Sequence, residues 1–339
     1  MSRIGKRGKA KLERTSIEVT QIATYAFQEL FSIYMFAKEA EGLAKRTLEN
    51  KKGYLLVFHR YLEEHHEEMT PNTLDTNTIR EFLHYLKNDH IKHKNNHCVK
   101  DEYKSVGVSV SYINTVMKHM RAFYNFLVEE EYVQANPFTK IKSLKEAQDN
   151  IEALSVDQLK LLLKQPDQRT YAGFRDYVLM MLLADTGIRI SEALNLTQED
   201  IDFKTNIIEL KGTNTKNRKT RYVPISQKTI RLLRELLVEI EEFDTPHIFA
   251  TVYGNTIDPA RFRQRLKIYG NNAGIKGVRV SPHTFRHTFA KYYLLNNGDV
   301  MTLQKILGHS SIEMVRKYVN MTSKDIVTQH NKHSPINNL

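Results

Sequence analysis

The chain has 339 residues, 41% hydrophobic and 26% charged, the balance of an ordinary globular protein with room for two domains. Fifty Lys and Arg against 39 Asp and Glu give a net charge of +11, which points to a polyanionic partner, nucleic acid before membrane. The single cysteine, Cys98, excludes an internal disulfide framework, and no apolar run approaches the ~18 residues of a spanning helix. The reading is a cytoplasmic protein with no membrane segment.

The N-terminal stretch "MSRIGKRGKAKLER" reads as a basic arm over residues 1–16 that lies on phosphate backbones or stays a solvated tail. Residues 17–140 carry helical spacing almost throughout. The spacing predicts helices in "TQIATYAFQELFSIYMFAKEAEG", "AKRTLENKKGYLLVFHRYLEEH", "LDTNTIREFLHYLKND" and "SVSYINTVMKHMRAFYNFLVEEEYV". In the last of these, Ile113, Val116, Met117, Met120, Phe123, Phe126 and Leu127 form the apolar stripe. Asn114, Lys118, Arg121 and Asn125 recur on the other side. That face is either plain solvent-facing surface or a DNA-contacting row, with Lys118, Arg121 and Asn114 as the candidates. The polar loop near 90–108 holds His90, His93, His97 and Cys98, whose spacing matches no zinc template, so no metal site is expected.

Residues 141–154 read as a polar linker, and Ser155 is the candidate cap for "LSVDQLKLLLKQ", which opens a second domain over 155–321. A buried helix in "GFRDYVLMMLLADTG" and a short one in "IRISEALNL" follow. The β-branched runs "NIIELKG" and "TRYVPIS" flank the polar "TNTKNRK", which predicts a hairpin. Helices are expected again in "QKTIRLLRELLVEIEEF", "DPARFRQRLKIYGNNAG", "TFRHTFAKYYLLNNG" and "VMTLQKILG". The segment "GHSSIEMVRKYVN" has Ser310 and Glu313 as a capping box, which predicts a helix running through Tyr318. Tyr318 then stands ~12 Å along the helix from His309. Residues 322–339 form a tail that could pack on a neighbouring subunit. The fold expected is mainly α: a helical domain followed by an α-helical domain with a small antiparallel sheet.

Four stretches of the second half matter together. "TGIRISEAL" supplies Arg189 and Glu192, the hairpin turn Lys216, "SPHTFRHTFA" His283 and Arg286, and "LGHSSIEMVRKYVN" His309 and Tyr318. Each alone has a bland reading as a surface charge, a solvated lysine or a packing residue. Together they suit attack on a phosphodiester. Negative charge grows on the non-bridging oxygens, and arginine forks can offset it where no carboxylate cluster suited to magnesium is in view. A lysine can protonate the leaving alkoxide, and a histidine can exchange protons with a tyrosine nucleophile. His283 and His287 lack the intervening glutamate of a zinc hydrolase.

With these boxes the sequence resembles the tyrosine recombinases, or phage-type integrases. "TGIRISEAL" looks like their first arginine box, "HTFRHTFA" like their H-x-x-R-H box and "LGHSSIEMVRKYVN" like the box of the nucleophile. The resemblance runs from about residue 150 to 322, and over the first half only as a helical pattern similar to the family's core-binding domain. It implies that Arg189 and Arg286 clamp the scissile phosphate, that His283 is the acid/base and that His309 hydrogen-bonds the phosphate. It further implies Lys216 as general acid, Tyr318 as nucleophile forming a 3′-phosphotyrosyl link and Glu192 as a support, with no cofactor. Implied partners are double-stranded DNA with an inverted-repeat core site, three further copies in a homo-tetramer on two duplexes, and accessory directionality proteins. The family's C-shaped clamp around DNA is the expected form. A type IB topoisomerase-like enzyme and a non-catalytic DNA-binding regulator on the same scaffold remain open at this point.

Overall fold

A computed structural model describes residues 26–91, 104–146, 153–214, 219–309 and 311–316, together with 327, 330, 331, 334 and 336. The chain divides into two compact units, Met1–Gln148 and Asp149–Leu339.

The first unit is built from α1 (Phe27–Ala40), α2 (Lys45–His65), α3 (Thr76–Asn88) and α4 (Val110–Glu129). Their starts follow from local chemistry. Asp75 accepts from Thr78 N at 2.8 Å at the head of α3, and Ser109 accepts from Tyr112 N at the head of α4. Apolar side chains at helical spacing meet in an aromatic core. Phe58 packs edge-on to Phe82 at 4.9 Å, Phe31 against Phe123 at 4.8 Å, and Tyr124 against Phe138 at 5.1 Å. Of the loop histidines, His90 sets its ring edge-on to Tyr85 at 5.6 Å. His93, His97 and Cys98 lie outside the described residues.

The polar face of α4, which the sequence left open to solvent or to DNA, holds the segment that follows through three of its residues. Asn114 donates to Leu144 O at 2.9 Å and to Glu146 Oε1 at 2.7 Å, and accepts from Leu144 N at 2.9 Å. Arg121 donates to Ile141 O at 2.8 Å and to Phe138 O at 3.4 Å. Asn125 accepts from Asn136 at 2.6 Å. Carbonyls of an irregular segment need donors, and this face supplies them through Asn114 and Arg121. Lys118 is exposed.

The second unit centres on α6 (Tyr171–Thr186), where Val178, Leu179, Met180, Leu182 and Leu183 are all buried. A helix apolar on every side has to be covered on every side. Here α5 (Val156–Leu163), α7 (Ile190–Leu194), α8 (Gln227–Ile240) and α10 (Pro282–Leu295) pack against it. Ser155 caps α5 in a reciprocal box with Gln158, as expected. The predicted hairpin is present and gains a third strand, in the order β1 (Ile201–Asp202), β2 (Ile207–Leu210), β3 (Arg221–Pro224), all antiparallel. Ile208 pairs with Val223 and Leu210 with Arg221. The unit also contains α9 (Pro259–Asn272), α11 (Val300–Leu307) and α12 (Ile312–Arg316). The expected cap Ser310 and the continuation to Tyr318 lie outside the described residues, as does Lys216 in the β2–β3 connection.

Candidate active site

The site is assembled where helices end. α6 stops at Gly187, whose φ of +62° is the left-handed conformation glycine adopts without strain. A Cβ there would come within 2.5 Å of the Phe289 ring, so space and backbone both call for glycine. α11 stops the same way at Gly308, φ +65°. The last carbonyls of a helix have no intrahelical partner and carry its negative dipole end, so they suit cationic donors.

Arg286, on the first turns of α10, uses both ends. Its Nη1 donates to Gly187 O at 2.9 Å and its Nη2 to Leu307 O at 2.7 Å. The same Nη2 lies 2.7 Å from His309 Nε2. Because a guanidinium only donates, Nε2 accepts, and the ring proton of His309 is on Nδ1. His309 is pinned through its backbone as well: its N–H donates to Gln304 O, and its carbonyl accepts from Gln304 Nε2 at 3.2 Å.

Arg189 and Glu192 form a second group. Glu192, on α7, is 2% exposed, and its Oε2 accepts from Arg189 N at 2.9 Å. Its Oε1 accepts from Arg189 Nη1 at 2.9 Å. Arg221 on β3 completes the carboxylate, with Nη1 to Oε1 at 3.0 Å and Nη2 to Oε2 at 2.6 Å. Arg221 Nε donates to Ile306 O at 2.8 Å. Burial works to raise the Glu192 pKa, but Arg221 and then Arg189 outweigh it and hold the carboxyl below the usual glutamate range.

Electrostatics follow from this packing. Burial, then Arg286, Arg189 and Arg221, push the His309 pKa down to about 4. His283 is lowered by burial and by Arg286, Arg263, Arg189 and Arg279. Burial, His283 and Arg286 bring His287 down to about 4. Near neutral pH the cluster therefore holds charged arginines beside uncharged imidazoles, which can accept protons. Among the described residues no group of three His, Cys, Asp or Glu is placed to hold a metal ion.

Of the residues proposed from sequence, Arg189, Glu192, Arg286 and His309 lie in this hydrogen-bonded constellation, and His283 stands in the field of the same arginines. Lys216 and Tyr318 fall outside the described residues, and Asn114, Lys118 and Arg121 belong to the other unit. Arg221 was missed: in "TRYVPIS" only the β-branched run was read, although alternation sets Arg221 on the face of buried Val223 and Ile225. Lys211, at the end of β2, is drawn 2.8 Å from Asp200 Oδ1, a carboxylate of a residue 4% exposed.

The sequence model of the phage integrase family matches residues 152–325, half of the chain. The chain belongs to the phage integrase family. It is thereby a tyrosine recombinase, an enzyme of DNA cleavage and rejoining. Relatives of this kind run along most of its length. The tyrosine recombinase XerD of Lacticaseibacillus casei is 29% identical over 299 residues, covering 87% of this chain and 94% of that protein. XerD of Staphylococcus aureus is 27% identical over 305 residues, covering 88% and 96%. Among solved structures, an integrase of the Tn1549 transposon in complex with circular intermediate DNA superposes with a TM-score of 0.71 at 17% identity, covering 91% of this chain and 100% of that one. XerH recombinase bound to its palindromic difH substrate gives 0.69 at 19% identity, covering 90% and 84%. These likenesses place the integrase's fold, mostly helical with a small antiparallel sheet, among the tyrosine recombinases.

Proposed function

We propose that this integrase cleaves and rejoins duplex DNA at a specific site through a covalent 3′-phosphotyrosyl link at Tyr318, moving or resolving a mobile element or replicon. The observation that supports this best is the joint orientation of Arg189, Arg286 and His309. Two guanidiniums are aimed by helix-end carbonyls and a buried glutamate, and an uncharged imidazole lies 2.7 Å from that of Arg286. Held donors stabilise a transition state because they need no reorganisation as charge develops. Arg189 and Arg286 face the non-bridging oxygens, and His309 hydrogen-bonds one of them.

As Tyr318 Oη bonds to phosphorus, the bond from phosphorus to the 5′ oxygen breaks. The tyrosine proton passes to His283, whose lowered pKa keeps a lone pair available. Lys216 gives its proton to the departing 5′ oxygen. Lys211, tied to Asp200, is a poorer acid because that contact raises its pKa. Attack of a second strand's 5′ hydroxyl reverses the step without ATP. The working form is a homo-tetramer on two duplexes, each with an inverted-repeat core site, with directionality set by accessory proteins. Residues 17–140 act as the core-binding domain, with the basic arm of residues 1–16 before it, and residues 155–321 as the catalytic domain joined through the 141–154 linker. Within the core-binding domain Lys118 is the phosphate contact of its helix. The 322–339 tail seats on a neighbouring copy.

The test is a duplex selected from a random pool by binding to the wild-type integrase, nicked beside the cleavage point and incubated with excess EDTA. A protein–DNA adduct on a denaturing gel, mapped to Tyr318 and absent from Tyr318→Phe, is expected. Adduct at the wild-type level in Tyr318→Phe, or a strict divalent-ion requirement for cleavage, would overturn the mechanism.

A further inference from the structure

We infer that Arg221 is a positioning residue for this reaction, acting on the scissile phosphate through Glu192 and Arg189. The inference rests on the function proposed above and adds a residue to it. Arg189 makes its side-chain contact with Glu192 through Nη1, and its side chain is 22% exposed. Its direction is therefore set by where the Glu192 carboxylate stands. That carboxylate is 1% exposed, and apart from the Arg189 side chain itself Arg189 holds it by a single backbone donor, N–H to Oε2 at 2.9 Å, about which a glutamate can still turn. Arg221 fixes it from the other side with two parallel donors, one to each oxygen, at 3.0 and 2.6 Å. A fork gripping both oxygens sets the plane of the carboxylate, which a point charge cannot do.

Arg221 is in turn fixed by the backbone. Its Nε–H donates to Ile306 O, in the last turn of α11, and its side chain is 10% exposed. It reaches Glu192 by passing Gly308, where a Cβ would stand 3.0 Å from Arg221 Cδ and Nε. The residue after Gly308 is His309, and the carbonyl after Ile306 O is the Leu307 O that receives Arg286. One strand residue thus refers the direction of Arg189 to the helix end that seats Arg286 and His309. The phosphate-binding groups come from segments distant in sequence, and Arg221 gives them a common frame.

The experiment measures adduct formation on the selected nicked duplex by Arg221→Met and Arg221→Lys, each alone and combined with Arg189→Ala. The Lys variant keeps the charge beside buried Glu192 and grips one oxygen, so it decides the matter if the Met variant does not fold. Both are expected to bind DNA within about twofold of wild type and to cleave roughly tenfold or more slower. In the Arg189→Ala background the Arg221 loss should disappear, since the residue through which it acts is gone. It should also shrink on a duplex whose scissile phosphate carries a methyl group in place of a non-bridging oxygen, because less charge then needs Arg189. Wild-type cleavage by Arg221→Lys, or a full additional loss on top of Arg189→Ala, would overturn the assignment. If the wild-type integrase itself forms no Tyr318 adduct on the duplex, the proposed function fails and the inference falls with it. A wild-type adduct alongside an unaffected Arg221→Lys removes the inference alone.

Discussion

The two units use their polar side chains in opposite ways. In the first, Asn114 and Arg121 lie on the polar face of α4 and bind carbonyls of the chain that follows, at 2.8 to 3.4 Å. In the second, carbonyls at the ends of α6 and α11 bind Arg286, and Ile306 O binds Arg221, so the backbone serves the side chains. Similar hydrogen bonds therefore have different consequences. Arg121 satisfies an irregular segment that would otherwise lack donors. Arg189 and Arg286 are set in place with neutral histidines beside them, an arrangement that concentrates positive potential for an anion. A polar face on a helix identifies a residue's side, and the partner's chemistry decides what it is for.

The contrast is broken most severely at Arg286. Arg286→Ala removes a held donor together with the partner of His309, and cleavage should fall about 10²–10³-fold while DNA binding persists. Single-turnover adduct formation beside a gel shift measures both; a loss confined to binding would contradict the assignment.

Protonation sharpens the comparison next. His287 and His309 have folded pKa values of about 4, against an ordinary value of 6.5 in the unfolded chain. Between those values the unfolded state binds more protons, so stability is fully present above pH 6.5 and is lost as pH falls toward about 4. Thermal melts should fall between about pH 7.5 and about pH 5, and His287→Gln should show a smaller fall. An identical fall in the variant would mean that His287 is already charged in the folded unit.

The smallest effect is expected in the first unit. Asn114→Ala leaves Leu144 N and O without their partner and should cost about 1–2 kcal/mol of stability. Its DNA affinity should stay near that of wild type, because the side chain serves the fold. Reduced affinity with unchanged melting would make the side chain a DNA contact and contradict its role in the fold.

How much of this was legible in the sequence depends on the range of the interaction. Capped, periodic helices were readable because cap and stripe lie within one segment: Ser155 with Gln158, or the apolar row from Ile113 to Leu127. The boxes around Arg189, Arg286 and His309 were readable because together they carry the residue types that attack on a phosphodiester calls for, in stretches that resemble the boxes of the tyrosine recombinases. β1 was not, since the two residues Ile201 and Asp202 are too few to show alternation. Arg221 escaped because its meaning lies in Glu192, 29 positions away, and Ile306, 85 away. The polar face of α4 was visible, but what covers it is decided by the course of residues 136–146.

The central claim is that the arginines stabilise charge on the phosphate while Lys216 supplies a proton to the leaving group, and one substrate separates these roles. With sulfur in place of the bridging 5′ oxygen, the leaving group is a thiolate, which needs little protonation because a thiol's pKa is near 8.5. Adduct formation by Lys216→Ala, Arg189→Ala and Arg286→Ala should be compared on oxygen- and sulfur-bridged duplexes. Lys216→Ala should recover toward the wild-type rate with sulfur, and neither arginine variant should. Rescue of Arg189→Ala or Arg286→Ala, or rescue of Lys211→Ala in place of Lys216→Ala, would contradict the account.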